Sequence, residues 1–270
     1  KETKSEAEIF SQVVLIEGDF AAINLALSPD DRQILIQNVT MIFNFAGSVS
    51  FTEKFKKAIA TNVRGVRELI ELAMQCKTLR LFCHISTSNW NLKEKVLEER
   101  PYKVDMDPQL IISISDFFSD TIVEGIFQEF IDESLINSYV FTKGLGEALI
   151  NKAREDFNLP VIICRPALVV NASDESCNGW NDSMHGLGAL SVAIGKGVMR
   201  IMYLETKCTL QVIPVDLSVK NILLCSMDFL VNSPSGFVYN LKYFEIDFEE
   251  FLVNLMDIYK QFYPFNGMVW

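Results

Sequence analysis

The sequence predicts an α/β fold built on a mostly parallel sheet, and two observations carry that expectation. Four short apolar, β-branched runs, "VVLIEGDF", "TMIFNFAG", "LRLFCHIST" and "VIICRPALVV", are bounded by turn residues and read as strands buried on both faces. Helical stretches lie between them, as parallel neighbours require.

Taken in order, "VVLIEGDF" and "TMIFNFAG" are the first two strands. In "FKKAIATNVRGVRELIELAMQC", residues Ala58, Val63, Val66, Ile70 and Met74 recur at spacings of three to five, which gives a helix one inward face. "LRLFCHIST" is the third strand and ends in Ser86 and Thr87. "YVFTKGLGEALINKARE" is a helix with Leu145, Leu149 and Ile150 inward, and "VIICRPALVV" is the next strand. Past residue 171 the pattern changes to the loop-rich "NASDESCNGWNDSMHG", an apolar stretch to Leu204, "CTLQVIPVDLSVKNILLCSM", a strand-like "GFVYNLKY" and a final helix from about Phe248. The expected division is a sheet domain over residues 1–170 and a smaller substrate-binding region over 171–270, interleaved with the end of the sheet.

Of the 270 residues, 49% are hydrophobic, enough for a large core. Lys+Arg 24 against Asp+Glu 35 gives a formal charge of −11, which repels phosphate backbones and excludes nucleic acid as a partner. Six cysteines form no C-x-x-C pair, which fits a reducing compartment. With only two histidines, His84 and His185, no metal site is expected. His84 reads as a core histidine satisfied by a neighbouring backbone group, and His185 is given no role. The opening "KETKSEAEIF" lacks the apolar run of a signal peptide. The greasy stretches "GALSVAIG" and "VMRIMYL" are cut by Lys196 and Arg200, so no transmembrane helix is expected.

Tyr139 and Lys143 stand four apart in a helical stretch, one turn apart on one face. An ammonium beside a phenol favours phenolate, which moves the tyrosine proton toward the range useful at neutral pH. Tyr139 is then a candidate acid for a carbonyl oxygen; the other reading is a solvated helical pair. Gly144 and Gly146 weaken a helix and make sense where its backbone closely approaches a ligand or another backbone. Ser86 and Thr87 close a strand at its carboxyl end, where hydroxyls either meet a ligand or cap the strand.

The ordered set "IEGDF", "IFNFAGSVSF", "ATNVRGVRELIELA", "HISTS", "YVFTKGLGEALI", "ICRPALV", "GWNDSMHGLGALSVAIGKGVMRIM" and "IPVDLSVKNIL" resembles the reductase domain of the alcohol-forming fatty acyl-CoA reductases, a branch of the extended short-chain dehydrogenases. The likeness runs from about residue 10 to about 245. The resemblance implies a Rossmann-like sheet with flanking helices and a C-terminal substrate lobe. It implies NADPH as cofactor and long-chain acyl-CoA as substrate, reduced through the aldehyde to a primary alcohol. Tyr139 would donate the proton, Lys143 would bind the nicotinamide ribose and lower the tyrosine's pKa, and Thr87, with Ser86 second, would hydrogen-bond the substrate oxygen. Asp19 and Phe20 match the adenine site, Ala46 and Gly47 the turn beside the adenine ribose and pyrophosphate, Asn62 the support of the active-site lysine, and Pro166 the border of the nicotinamide. "HGLGALSVAIGKGVMRIMYL" offers either an apolar acyl channel, with Lys196 and Arg200 for CoA phosphates, or an ordinary core helix. By resemblance the location is an endoplasmic reticulum or peroxisomal membrane, reached through parts absent from this sequence.

The sequence departs from that family in several places. No G-x-G-x-x-G occurs, and the first βαβ unit, whose helix receives the pyrophosphate, is missing. Its two strands would stand between "VVLIEGDF" and "TMIFNFAG", so a gap in the sheet is expected, along with truncation at both ends. Ser88, Asn89 and Trp90 follow the Ser-Thr pair in place of a small residue and an aromatic, and Asn44 stands where histidine is common. The competing readings are an inactive truncated or degenerate paralogue, and an extended short-chain enzyme acting on a nucleotide sugar or sterol.

Overall fold

The computed structural model describes residues 10–91, 94–130, 137–174, 177–203, 205 and 207–262. The expected charged start over 1–9, Leu204 and the closing 263–270 lie outside the described residues. The fold is α/β and Rossmann-like, with a four-stranded sheet and a three-stranded one. The chain forms two compact units, Lys1–His84 with Trp90–Lys95 and Pro101–Ile163, and Ile85–Asn89 with Val96–Arg100 and Cys164–Trp270.

In the first unit, helix α1 (Pro29–Asn38) starts on Ser28, whose Oγ accepts from Asp31 N at 3.1 Å, with Pro29 at the first helical position and Asp30 and Asp31 in the first turn. Strand β1 (Met41–Asn44) runs parallel to β2 (Leu81–Ile85), pairing Ile42 with Phe82 and Asn44 with His84. The predicted long helix is interrupted: α2 (Phe55–Ile59) passes through a π turn (Ala60–Arg64) into α3 (Gly65–Gln75). Met74, expected to face inward, sits in the last turn of α3 and is exposed. Helices α4 (Pro108–Phe117) and α5 (Asp120–Phe130) precede α6 (Ser138–Phe157). Asn137 caps α6 by accepting from Val140 N at 2.9 Å, and Asn158, left-handed at φ 51°, ends it. Strand β3 (Val161–Arg165) follows, and the core gathers Ile59, Val63, Phe82, Ile112, Phe127, Leu145 and Ile150, all buried.

"VVLIEGDF" is not a strand. Its residues join no strand ladder, and Val13, Val14 and Leu15 are 53%, 80% and 92% exposed. Apolar β-branched composition favours a strand only where another backbone is there to pair with it. Among the described residues, β1 pairs with β2 and with no other strand.

In the second unit, the run "VIICRPALVV" divides. Pro166 and Ala167 break it, and β4 (Leu168–Val170) joins a different sheet, parallel to β5 (Thr209–Pro214), which pairs antiparallel with β7 (Phe244–Asp247). Proline has no N–H for a ladder, so a strand switches partners there at low cost. Between these strands lie α7 (Gly186–Gly195), α8 (Val215–Asn232) and β6 (Val238–Asn240), and α9 (Phe248–Phe262) follows β7. Fully buried Arg165 donates to the carbonyls of Glu98 at 3.0 Å and Arg100 at 3.1 Å. Asn240 holds the same segment, its N–H on Glu99 Oε1 at 2.8 Å and its amide on Leu97 O at 2.5 Å.

Candidate functional site

The first unit assembles most of the expected residues. Tyr139 and Lys143 lie in the first two turns of α6, where the i, i+4 spacing stacks them. Tyr139 is half-buried, its ring 5.5 Å from that of Phe51. Lys143 is buried, and desolvation pushes its ammonium down to about 8 against a weaker opposing pull from Glu147 one turn on. This burial disfavours the reading of the pair as a solvated helical pair.

Asn62 belongs to the π turn, an irregularity that often marks a functional position. Its Oδ1 accepts from Ser48 N at 2.8 Å, while its Nδ2 donates to Ser48 O at 3.1 Å and to Thr142 Oγ1 at 3.0 Å. Thr142 in turn donates back to Ser138 O at 2.7 Å. One amide thus ties the turn after β1 to the start of α6. Gly47 in that turn has φ 153°, and a Cβ there would stand 2.8 Å from Asn62 Oδ1, so the close approach excludes a side chain. Ala46 and Gly47 are exposed. Asp19 is exposed and accepts from Ala21 N at 2.9 Å, and Phe20 lies against Gly65, where a Cβ would overlap its ring and carbonyl.

The second unit brings Ser86, Thr87 and Pro166 together. Ser86 N donates to Cys164 O at 2.8 Å and Ser88 N to Pro166 O at 2.9 Å, so the backbone follows the end of β3 on both sides of Thr87. All three residues are buried, and Thr87 Oγ1 accepts from Asn89 N at 3.3 Å. Ser86 Oγ has no hydrogen-bond partner among the described residues.

Three features were not foreseen. His84 is buried, but its partner is a side chain, not the expected backbone group: Nδ1 stands 3.1 Å from Asn44 Nδ2. An amide nitrogen can only donate, so Nδ1 accepts and the ring proton is on Nε2. Burial, then the Lys143 ammonium, keep this imidazole neutral, well below its ordinary pKa. The second feature is Trp90, whose ring lies against α6 where a Cβ on Gly144 would be 2.6 Å from it. Gly146 meets a backbone, its Cβ position 2.9 Å from Asn62 O. The two glycines of α6 therefore admit an indole and a carbonyl. The third is Asp216 at the start of α8, the acid of "IPVD". It accepts from Ser173 N at 2.9 Å, Ser173 Oγ at 3.1 Å and Asp174 N at 3.2 Å, bonds that hold it down to about 2. The single Asp of "IPVD", in the first turn of a helix, was the available signal.

The residues present fit part of a nicotinamide dinucleotide. Gly47, kept free of a side chain beside Asn62, leaves room for close approach at the turn after β1, and Lys143 supplies a buried cation. Among the described residues no glycine-rich turn leads into a helix to receive a pyrophosphate. Arg200, expected at CoA phosphates, has its Nε on Gly197 O at 3.0 Å, and Lys196 is exposed. No helix among the described residues is long and apolar enough to cross a membrane.

Comparison with known proteins gives the family and the fold. An NAD-binding family described as "Male sterility protein" matches residues 1–222. Fatty acyl-CoA reductase 1 of Rattus norvegicus is 33% identical over 230 residues, 85% of this chain and 44% of that protein. Fatty acyl-CoA reductase wat of Drosophila melanogaster is 32% identical over 221 residues, 82% of this chain and 42% of that protein. The chain thus spans less than half the length of these relatives. Among solved structures, the terminal R domain from the myxalamid PKS-NRPS biosynthetic pathway superposes with a TM-score of 0.66 at 21% identity, over 94% of this chain and 56% of that one, a likeness of fold. With its parallel strands, the π-turn asparagine and the buried lysine of α6, the chain belongs to the NAD-binding male sterility protein family.

Proposed function

We propose that this chain carries the reducing machinery of an NADPH-dependent fatty acyl-CoA reductase, which converts long-chain acyl-CoA through the aldehyde to a primary alcohol. The observation that carries the reading is the buried Lys143 ammonium, one turn after Tyr139, on a helix start that Asn62 ties to the turn after β1. Family membership and the reductase relatives support the substrate class.

In this reading Tyr139 gives its proton to the acyl oxygen, and Thr87, with Ser86 second, hydrogen-bonds that oxygen. Lys143 holds the nicotinamide ribose hydroxyls, and its charge favours the phenolate that remains on Tyr139. Asp19 and Phe20 meet the adenine, Ala46 and Gly47 its ribose and the pyrophosphate, and Pro166 borders the nicotinamide. When bound, the reduced cofactor supplies the hydride. Each of the two reductions then needs one hydride and one proton, and the first also releases the CoA thiol. The site works at a membrane surface of the endoplasmic reticulum or peroxisome.

The test is alcohol formation by the intact gene product from palmitoyl-CoA and NADPH. Tyr139→Phe is expected to lower turnover by roughly a hundred- to ten-thousandfold, the range for loss of a positioned acid, with cofactor binding retained. Alcohol formed at the normal rate by the folded variant removes Tyr139 as the donor.

A further inference from the structure

We propose that the cleft of about 550 Å³ in the second unit is the acyl-tail site, with Tyr259 as the stop that sets chain length. The proposal rests on the acyl-CoA reading above and adds where the alkyl chain lies. The cleft is walled by Leu187 and Val192 of α7, Val212 of β5, Ile246 of β7, and Phe251 and Tyr259 of α9. Its volume falls within the ~300–1,000 Å³ of small-molecule sites.

Three polar side chains of the lining are already engaged with the protein. Asn171 donates to Gly179 O at 3.1 Å, Asn181 Oδ1 accepts from Ser183 N at 3.0 Å, and Ser191 Oγ donates to Leu187 O at 2.8 Å. A hydrocarbon entering here leaves these three bonds intact. The charge balance says which part of the substrate enters. The lining holds one carboxylate, Asp182, and no lysine, arginine or histidine, so it repels the CoA phosphates and accepts the uncharged tail.

One lining side chain is fixed in place. Tyr259 packs on Gly195 so closely that a Cβ at that position would overlap the ring, which pins the phenol across the C-terminal end of α7. The other wall is anchored too. Ala172 N donates to Trp180 O at 3.0 Å and Gly179 N to Ala172 O at 2.8 Å, and Asp216 holds Ser173 and Asp174, so the chain leading to Asn181 and Ser183 is tied at its base.

The experiment measures binding and turnover separately on the intact gene product. Saturated acyl-CoAs from decanoyl to icosanoyl compete with a fluorescent fatty acid, and alcohol formation is followed in parallel. Affinity is expected to rise about fourfold per added methylene, the equivalent of ~0.8 kcal/mol per buried CH₂, up to a plateau. Val192→Phe, which fills the cleft, is expected to bring the plateau to shorter chains, and Tyr259→Ala to extend it to longer ones. Circular dichroism checks that each variant folds; if Tyr259→Ala does not, Val192→Phe decides alone. A plateau that stays in place in a folded Val192→Phe, or affinity independent of chain length, overturns the tail site. Chain-length-dependent binding without any reduction overturns the reductase reading and leaves the tail site standing.

Discussion

Lys143 is a cation kept out of water, and that has a measurable effect on stability. Its pKa falls from 10.5 to about 8 on folding, so between those values the unfolded chain holds a proton that the folded chain has released. Stability from this group therefore rises with pH across that window, is complete above about 10.5 and is lost as pH falls through about 8. Lys143→Met is expected to remove the rise and to be more stable than the parent at neutral pH while losing activity. Urea midpoints of parent and variant, measured at intervals across the window, give the check, and parallel pH profiles would contradict it. Gly144, beside it, offers a test with a sign. On an exposed helix, Gly→Ala gains roughly 1 kcal/mol, but here the Cβ would stand 2.6 Å from the Trp90 ring. Gly144→Ala is expected to cost about 1–3 kcal/mol, the range for overpacking, and to become stabilising in a Trp90→Leu background. A double-mutant cycle by denaturant unfolding reads the reversal; an additive result excludes the contact as the reason for the glycine.

At the scale of the element, the π turn Ala60–Arg64 does more than interrupt a helix. It places one amide where it satisfies both backbone groups of Ser48 and the hydroxyl of Thr142. Asn62→Ala removes these three bonds and leaves a partly buried Ser48 N–H without its acceptor, for an expected loss of about 2–4 kcal/mol. Asn62→Asp keeps the acceptor and is expected to lose less. Thermal or urea unfolding of both checks the order, and equal losses would show that the acceptor bond to Ser48 N does not matter. The sequence marked Asn62 only through the family resemblance, because a π turn depends on tertiary contacts and has no periodicity of its own. Tyr139, Lys143 and the glycine pair were legible because spacing along a helix fixes which side chains share a face. The partners of those glycines were not, since Trp90 is 54 residues before Gly144 and Asn62 is 84 before Gly146, and residue pattern carries no information at that range. Nor was the Asn44 amide on His84, a pairing created by the register of β1 on β2.

At the scale of the whole molecule, the same limit separates what the sequence told from what it did not. β1, β2 and β3 were legible as apolar runs, and α9 was placed from its first residue. The split of "VIICRPALVV" between two sheets was not, although Pro166 is the residue that divides it. "VVLIEGDF" shows the point in reverse, for its composition is that of a buried strand and its surroundings are water. Val13, Val14 and Leu15 are exposed, and the β1 edge of the four-stranded sheet has no further strand among the described residues. An exposed apolar segment, like an unpaired strand edge, promotes association between copies. Substituting Val14→Lys with Leu15→Lys in this 270-residue chain is therefore expected to raise the soluble, monodisperse fraction in size-exclusion chromatography. Because the two side chains are 80% and 92% exposed, the same change should leave the Tm within about a degree, surface substitutions being worth within ~0.5 kcal/mol. A drop in Tm of several degrees would mean that these side chains are covered in the folded chain, and that "VVLIEGDF" finds a partner after all.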